Sequence, residues 1–288
     1  MEAKSAGSPL VPVAVIEPRG GWAPWDLREL WEYRELLYFL VWRDLKVRYK
    51  QTVLGASWAI LQPLLTMIVF TVFFGTLARV PSDGLPYPLF SYAGLLPWTF
   101  FSQGLAQSAN SLVGSAHLIR KVYFPRLIVP VAAVLTCAVD FAVAFVVLLG
   151  LMAVYGVAPT LAVALVPLLV LLAVVSVLGA GVWLSALSVE YRDFRHIVAF
   201  ALQIGMFVSP VIYPSRIVIE RLAGLGLPAW IYGLNPAVGV IEGFRWALLG
   251  VGTEPWALIA ASGAVSIVVL VLGLFYFRRM ERTFADVV

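Results

Sequence analysis

Asp140 is the residue with the clearest capacity for chemistry, because it is an acid in the middle of a long apolar run. A carboxyl group inside a lipid bilayer is costly and is by default a functional residue. Two uses remain open: an ion-coupled step of transport, or a hydrogen-bonded contact between packed helices. Proton relays use chains of ionisable groups, and the long apolar runs hold this acid alone, which favours the structural use.

Other catalytic patterns are missing from the sequence. A P-loop needs a lysine directly after a glycine to hold phosphates, and none of the four lysines follows a glycine. The two histidines, His117 and His196, lie in separate loops, and no cluster has the spacing of metal ligands. We therefore expect a chain that is not an enzyme by itself, with no catalytic residue, no metal and no cofactor of its own.

The composition indicates a protein of the lipid bilayer. The 288 residues are 61% hydrophobic and 12% charged, whereas soluble domains are about 45–50% apolar and about 25% charged. In a membrane protein, a net charge of +4 usually comes from basic residues in the cytoplasmic loops, not from a nucleic-acid site. The single cysteine, Cys137, rules out an intrachain disulfide.

Six apolar runs supply candidate membrane spans, each needing about 20 residues. They cover 56–77, 89–110, 127–155, 161–189, 197–213 and 256–277. The predicted fold class is an all-α integral membrane protein with six transmembrane helices over 51–288. The fourth run contains Gly179 and Ser176, small residues that predict close helix packing.

The first fifty residues differ from the rest. Residues 1–24 predict a cytoplasmic arm, and 26–44 predict a helix capped by Asp26. Its apolar residues, among them Leu30, Trp31 and Tyr38, share one face. We expect this amphipathic helix to lie flat in the membrane interface; packing against a protein core is the alternative.

Basic residues predict the orientation of the spans. With a cytoplasmic amino terminus, 16 of the 20 Lys and Arg residues fall in cytoplasmic segments. Such an excess is typical of the cytoplasmic side. Both termini are therefore predicted to be cytoplasmic.

The segment 214–254 is predicted to be external. It holds two short amphipathic stretches, at about 217–225 and 236–249, with Asn235 and Pro236 as a cap and first helical residue. Each stretch is too short to cross the membrane, so we expect a re-entrant pair or two surface helices. Glu242 and Arg245 are one turn apart and can pair.

Aromatic residues, 13% of the chain, allow two interpretations. They can form interfacial belts, or line a path on which sugar rings slide over aromatic faces, much as bases stack in nucleic-acid grooves. The candidate channel residues are Trp58, Phe70, Trp98, Phe100, Phe101, Phe207 and Tyr213.

Four stretches of sequence carry a family resemblance. They are YKQTVLGASWAILQPLL at 49–65, LIRKVYFPRLIVP at 118–130, EYRDFRHI at 190–197 with SPVIYP at 209–214, and NPAVGVIEGFRWALLG at 235–250. In order and spacing, the chain resembles the membrane subunit of bacterial polysaccharide ABC exporters, the type-2 group that moves O-antigen, capsule or teichoic acid chains.

The resemblance implies a division of labour. Two copies of this subunit would form a pore in the bacterial inner membrane for a lipid-linked polysaccharide. Two copies of a separate ATPase, holding ATP and Mg, would bind from the cytoplasm. The implied coupling residues are Arg120, Lys121, Tyr123, Glu190, Tyr191, Arg192 and Asp193. The implied external gate residues are Ile217, Ile241, Glu242 and Arg245.

Three alternatives to polysaccharide export remain open. One is an exporter of the same family for a small drug or lipid. Another is an ion-driven carrier centred on Asp140, which would need no ATPase. The third, a membrane-embedded glycan enzyme, would need clustered acids or histidines that the spans do not offer. The basic loop residues could also serve only orientation and contact with anionic membrane lipids.

Overall fold

The computed structural model describes residues 27–50, 57–252, 254–281 and 284. The predicted arm over 1–24, the Asp26 cap and residues 51–56 lie outside the described residues. Within the described ranges the chain folds into eleven α-helices with no β-strand, as the predicted all-α class requires.

Within the part of the chain that the structure describes, four segments are long and apolar enough to cross a membrane. The first is α3 (Ser57–Phe70), continued by a π-helical segment (Thr71–Leu77). The second is α6 (Ile128–Val154). The third is a 3₁₀ segment (Leu161–Leu165) that runs into α7 (Val166–Glu190), and the last is α11 (Trp256–Met280). These segments are the predicted first, third, fourth and sixth apolar runs.

The second predicted run forms the central helix of the bundle, α4 (Tyr87–Gly114). Its 28 residues extend about 42 Å at 1.5 Å per residue, enough to cross a bilayer. It packs against α3, α6, α7 and α10, which shield most of it from lipid. A helix enclosed by other helices can therefore carry the polar residues Gln103, Gln107 and Asn110 along one side.

The fifth predicted run is shorter than expected. α8 (Phe194–Val208) has 15 residues, about 22 Å, against a hydrocarbon thickness of about 30 Å. The residue before a proline is pushed into extended conformations, and Ser209, which precedes Pro210, has ψ 151°. The predicted run of 197–213 therefore ends as a helix five residues early, and a turn over 209–214 follows.

α7 and α11 pack closely, as the small residues of the fourth run predict. A Cβ added at Gly179 would stand 2.7 Å from the backbone nitrogen of Leu270, and one at Gly273 would stand 2.6 Å from the carbonyl oxygen of Gly179. The Ser176 and Ser266 hydroxyls are 2.6 Å apart. Backbones that touch in this way require small residues on both helices.

The amino-terminal helix is broken and longer than predicted. α1 (Leu27–Glu32) and α2 (Arg34–Tyr49) meet at Tyr33, so the predicted end at residue 44 is five residues short. Leu40 packs on Ile128 and Ala132 of α6, and Arg48 reaches Asp140 farther along the same helix. α2 therefore runs beside the first half of α6, a contact with protein that the flat interfacial prediction did not include.

The predicted apolar face of this helix divides in two. Leu30, Leu37 and Val41 pack on the bundle. Trp31 and Tyr38 are 69% and 70% exposed and point away from it. The prediction of a single shared apolar face is therefore wrong for the folded chain, because adjacent residues such as Leu37 and Tyr38 lie about 100° apart around a helix with 3.6 residues per turn.

Loops collect at two ends of the bundle. What we term the basic end comprises α5 (Ala116–Lys121), the loop that follows it to residue 127, residues 190–195 and 278–281. The opposite end comprises 78–86, 155–160, 209–235, 250–252 and 254–255. The Tyr87 hydroxyl donates to the Ile212 carbonyl at 2.8 Å, joining the first residue of α4 to the turn over 209–214.

Two short helices lie at the opposite end, as predicted, but they differ from each other. α9 (Arg216–Gly224) has no buried residue, whereas α10 (Pro236–Leu249) is mostly buried against α4, α7 and α11. A 3₁₀ segment (Ala229–Leu234) joins them. α9 is thus a surface helix and α10 is packed within the bundle, and the choice between a re-entrant pair and two surface helices stays a prediction.

The start of α10 is confirmed in detail. The Asn235 side chain accepts a hydrogen bond from the Ala237 backbone N–H at 3.1 Å, and Pro236 is the first helical residue. The helix ends at Gly250 with φ 67°, the left-handed conformation in which glycine commonly stops a helix.

Candidate functional site

A cavity of ≈ 480 Å³ lies between α2, α3, α4 and α6. One wall is aromatic, with Trp58, Phe100 and Phe141; Phe100 and Phe141 have ring centroids 5.6 Å apart. The polar side chains of the wall are those of Arg48, Tyr49, Gln62, Thr99, Gln103, Gln107 and Asp140. The cavity thus combines ring faces and hydrogen-bonding groups, as ligand sites do.

Asp140 is held by two residues of α2. Its carboxylate forms an ion pair with the Arg48 guanidinium and accepts a hydrogen bond from the Tyr49 hydroxyl. Arg48 also donates to the side-chain carbonyl of Gln107. The pair is partly buried, with Arg48 28% and Asp140 14% exposed. The acid singled out from the sequence is therefore a contact between α6 and α2, as the structural use predicts, and its part in transport stays a prediction.

The electrostatics of this contact favour its charged form. Burial, the largest single influence, lowers the pKa of the Arg48 guanidinium, but Asp140, Cys137 and Tyr49 together outweigh it and the pKa is raised above its usual value. Burial, followed by the hydrogen bond to Asp140, raises the pKa of the Tyr49 hydroxyl to about 12. At neutral pH, Arg48 remains a cation and Tyr49 a hydrogen-bond donor.

The seven predicted channel rings do not gather at one place in the single chain. Trp58 and Phe100 line the cavity. Phe70, Trp98 and Phe101 are buried in the core. Phe207 is exposed on α8, and the Tyr213 hydroxyl donates to the Phe207 carbonyl at 2.8 Å. Their assignment to a channel remains a prediction, and within one chain two of them share a cavity.

The predicted coupling residues do gather, at the basic end. The aromatic members Tyr123 and Tyr191 are 70% and 52% exposed. The charged members are exposed as well: Arg120, Lys121, Glu190, Arg192 and Asp193. Beneath them, Ile119, Phe124, Val189 and Phe277 belong to one apolar cluster with Phe284. Two loops far apart in sequence therefore present their side chains from one packed base.

Hydrogen bonds connect these loops to the end of α11. The Tyr276 hydroxyl donates to the Glu190 carboxylate at 2.7 Å, and the Arg126 backbone N–H donates to the Glu281 carboxylate at 3.3 Å. The hydrogen bond with Glu190 raises the pKa of the Tyr191 hydroxyl. Both loops are thus in direct contact with the carboxyl end of α11.

The predicted gate pair forms, and it has more partners than the sequence indicated. Arg245 bonds the Glu242 carboxylate at 3.0 Å, donates to the Val211 carbonyl at 2.7 Å and stacks on the Phe90 ring at 3.7 Å. It also donates to the Pro210 carbonyl. Arg245 is 2% exposed and ties α10 to α4 and to the turn over 209–214. Of the other two gate residues, Ile241 is buried and Ile217 is 38% exposed.

Sequence reasoning missed the polar residues of the cavity. Thr99, Gln103, Gln107 and Asn110 recur every three or four positions along α4, so they share one helix face. That spacing was the signal available in the sequence. It lies within the apolar run 89–110, whose hydrophobicity alone predicts only a membrane span. Arg48 was visible as a basic residue, but nothing local indicates a partner 92 positions away.

Metal ligation finds no support in the described part of the chain. No three His, Cys, Asp or Glu side chains among the described residues stand close enough to hold an ion. What the geometry offers is hydrogen bonding, stacking and one neutralised ion pair.

Comparison with known proteins identifies the family. The sequence profile described as ABC-2 type transporter matches residues 35–249. The O-antigen export system permease protein RfbA of Myxococcus xanthus is 32% identical over 261 residues, which are 90% of this chain and 98% of that protein. A Klebsiella pneumoniae protein of the same name is 28% identical over 254 residues, 88% and 95% of the two chains.

A more distant relative has a different printed substrate. The polysialic acid transport protein KpsM of Escherichia coli is 22% identical over 245 residues, which are 83% of this chain and 91% of that protein. Since the family profile covers most of the chain and the Myxococcus relative exceeds 30% identity over nearly its whole length, the chain is a multi-pass membrane protein that belongs to the ABC-2 type transporter family.

Proposed function

We propose that this chain is the membrane subunit of an ATP-driven exporter that moves a lipid-linked, O-antigen-like polysaccharide from the cytoplasm across the bacterial inner membrane. Two copies form the pore, and two copies of a separate ABC ATPase bind them from the cytoplasm. The relatives named for O-antigen export align over nearly the whole chain, which supports this substrate class over a small drug or lipid.

The observation that carries the proposal is the construction of the basic end. Exposed residues of two distant loops, Tyr123 and Tyr191 among them, stand on one apolar cluster that includes Phe277 of α11. A cytoplasmic ATPase that grips these loops acts on α7 and α11 at once. ATP and Mg belong to that partner, and this chain contributes the surface that receives its motion.

The second copy fits two apolar segments that are poorly packed within the chain. α8 has one buried residue, Val198, while Phe200, Ile204 and Phe207 are exposed. α3 and the π-helical segment that continues it likewise expose Ile68 and Phe73. Lipid could cover these side chains equally well, but a pore for a hydrophilic polymer needs protein around a wet path, because hydrocarbon cannot satisfy sugar hydroxyls.

Six crossings complete the proposed topology, with α4 and α8 added to the four long apolar segments. α4 is long enough, and α8 crosses together with the turn over 209–214 that Arg245 holds. Both termini are then cytoplasmic, and the opposite end, with α9 and α10 as the external gate, faces outward. The glycan enters at the cytoplasmic side and is threaded through as the ATPases close.

Labelling of single cysteines tests this topology. In a Cys137→Ser background, a cysteine at Arg120 should react with a membrane-impermeant thiol reagent only after cells are opened, whereas one at Arg221 should react in intact spheroplasts. Both positions are exposed. Labelling of the two from the same side would refute the topology.

The coupling role is tested at Asp193. Asp193→Ala, co-expressed with the ATPase, should lower polymer export about tenfold, a typical coupling energy between sites, while the amount of folded protein is unchanged. Glu254→Ala is the matched control, since Glu254 is an exposed acid at the opposite end. Normal export by Asp193→Ala would remove that residue from the coupling surface.

The same reconstituted system separates the alternatives. If the purified chain carried cargo across liposome membranes without its ATPase, the protein would be an ion-driven carrier. Asp140 would then be the first residue to test. ATP-dependent export of a small lipid or drug with no polymer would keep the family and change the substrate.

A further inference from the structure

Gln107 joins two neighbouring cavities. It lines the ≈ 480 Å³ cavity and also a second one of ≈ 390 Å³, whose wall extends to Ser115 at the basic end. Thr99, Gln103 and Asn110 lie on the same face of α4. A polar side of α4 therefore leads from the basic end to the level of Asp140, the thirteenth of the 27 residues of α6.

Two amides in the larger cavity lack internal partners. Among the hydrogen bonds of the described residues, none involves the side chain of Gln62 or Gln103, although both line the wall. Unpaired amides are costly in hydrocarbon. Gln62 is exposed and Gln103 partly exposed, so both amides are accessible to a polar group that enters the space between α3 and α4.

The rest of the wall restricts what that occupant can be. Arg48 and Asp140 neutralise each other, so the cavity offers no unpaired charge to an ionic ligand. Trp58 and Phe100 add ring faces. A ligand that satisfies amides and also covers aromatic faces has hydroxyl groups around its rim and C–H groups on its faces, and a neutral sugar ring has both.

We propose that this cavity, inside each subunit, binds a neutral sugar ring of the exported glycan, with Gln62 and Gln103 bonding its hydroxyls and Trp58 and Phe100 lying against its faces. The inference rests on the proposed function and adds a binding site to it. A volume of ≈ 480 Å³ falls within the range of about 300–1,000 Å³ that is typical of small-ligand pockets.

Two substitutions test the site in cells that depend on this chain, with its ATPase, for polymer export. Gln103→Leu removes one amide at nearly constant size and should lower the export rate about fivefold, as expected for loss of one hydrogen bond. Ala59→Phe places a ring in the cavity, which Ala59 lines, and should lower export further.

Each substitution has a matched control. Ser102→Ala alters a neighbouring polar residue of α4 whose hydroxyl donates to the Thr99 carbonyl of its own helix at 3.2 Å. Ala264→Phe adds the same ring at an exposed position of α11. Both controls should export within about twofold of wild type, the scale of ordinary surface substitutions.

Photocrosslinking reports contact with the polymer directly, so residual export by the substituted chain is enough to give a signal. Benzoylphenylalanine at Gln103, activated during export, should form a polydisperse adduct that stains for the cell's own polysaccharide, and the same group at Ala264 should not. Adducts at Gln203 of α8 but none at Gln103, together with normal export by Gln103→Leu, would overturn the site and leave the proposed function intact. Absence of polymer export by the wild-type chain with its ATPase would instead refute the proposed function.

Discussion

Of the arginine–carboxylate pairs among the described residues, Arg245–Glu242 and Arg48–Asp140 are the most buried, and the protein surrounds them to different degrees. Arg245 and Glu242 are one turn apart in α10 and are 2% and 13% exposed; Arg48 and Asp140 come from different helices and are 28% and 14% exposed. Arg245 is enclosed by carbonyl groups and the Phe90 ring, whereas Arg48 borders a cavity. The first pair fixes the shape of one end, and the second stands where neighbouring groups have room to move.

The largest expected loss of stability comes from breaking the Arg245–Glu242 pair. Arg245→Leu leaves the Glu242 carboxylate without its cation and frees the turn over 209–214, at a cost of about 3–5 kcal/mol in the free energy of unfolding. Thermal and denaturant unfolding in detergent measures the change. Arg216→Leu is the control, because Arg216 is 66% exposed with an ion-pair distance of 3.8 Å and should contribute at most about 0.5 kcal/mol. Equal losses in the two variants would mean that Arg245 is no more important than a surface residue.

A smaller effect is expected from crowding the same pair. A Cβ at Gly94 would stand 2.4 Å from the guanidinium of Arg245 and 2.9 Å from the Val211 carbonyl oxygen, so Gly94→Ala should cost about 2 kcal/mol. Gly114→Ala, in the same helix, meets nothing within 4 Å and should be neutral or slightly stabilising. The two variants are compared by their unfolding midpoints, and a stable Gly94→Ala protein would show that Arg245 has room to shift.

The smallest loss of unfolding free energy is expected at the Arg48–Asp140 pair, which borders the cavity. Arg48→Ala and Asp140→Ala should each lower the unfolding free energy by about 1–2 kcal/mol. This cost is below that of a fully buried pair because solvent partly stabilises the charge that remains. The double variant should cost less than the sum of the two, which a double-mutant cycle measures. Strict additivity would mean that the two residues do not stabilise each other.

Asp140→Asn addresses function at the same pair. The amide still accepts a hydrogen bond from Tyr49 and cannot titrate, so ATP-dependent export should continue. Complete loss of export from a folded Asp140→Asn protein would favour the ion-driven carrier over the structural contact.

Local signals in the sequence predicted the ends of α10 well. Asn235, Pro236 and Gly250 act through their own backbone and side-chain chemistry, and the neighbours they need are at most four residues away. The Glu242–Arg245 pair was predicted for the same reason. What the sequence could not supply were the carbonyl groups of 210–213 and the Phe90 ring, which come from other parts of the chain.

Long-range contacts account for the remaining differences. α2 continues past residue 44 because Arg48 and Tyr49 bond Asp140 of α6, a contact that no helical period reveals. The predicted fifth span continues over Pro210 because a hydrophobicity pattern does not register the backbone restriction that a proline imposes on the residue before it. The aromatic residues were grouped by type, whereas burial separates Phe70 and Phe101 from Trp58.

The backbone contact between α7 and α11 has a mechanical consequence. Helices that touch at Gly179 and Gly273 cannot slide past each other without a collision of main-chain atoms, so the two should move as a single strut whenever the loops of the basic end are pulled. Deformation is then left to elements with few neighbours, chiefly α8 and the π-helical turn over 71–77. A transporter built in this way combines a rigid helix pair, α7 and α11, with deformable segments, α8 and 71–77. Space for a transported polymer would then open beside the deformable segments.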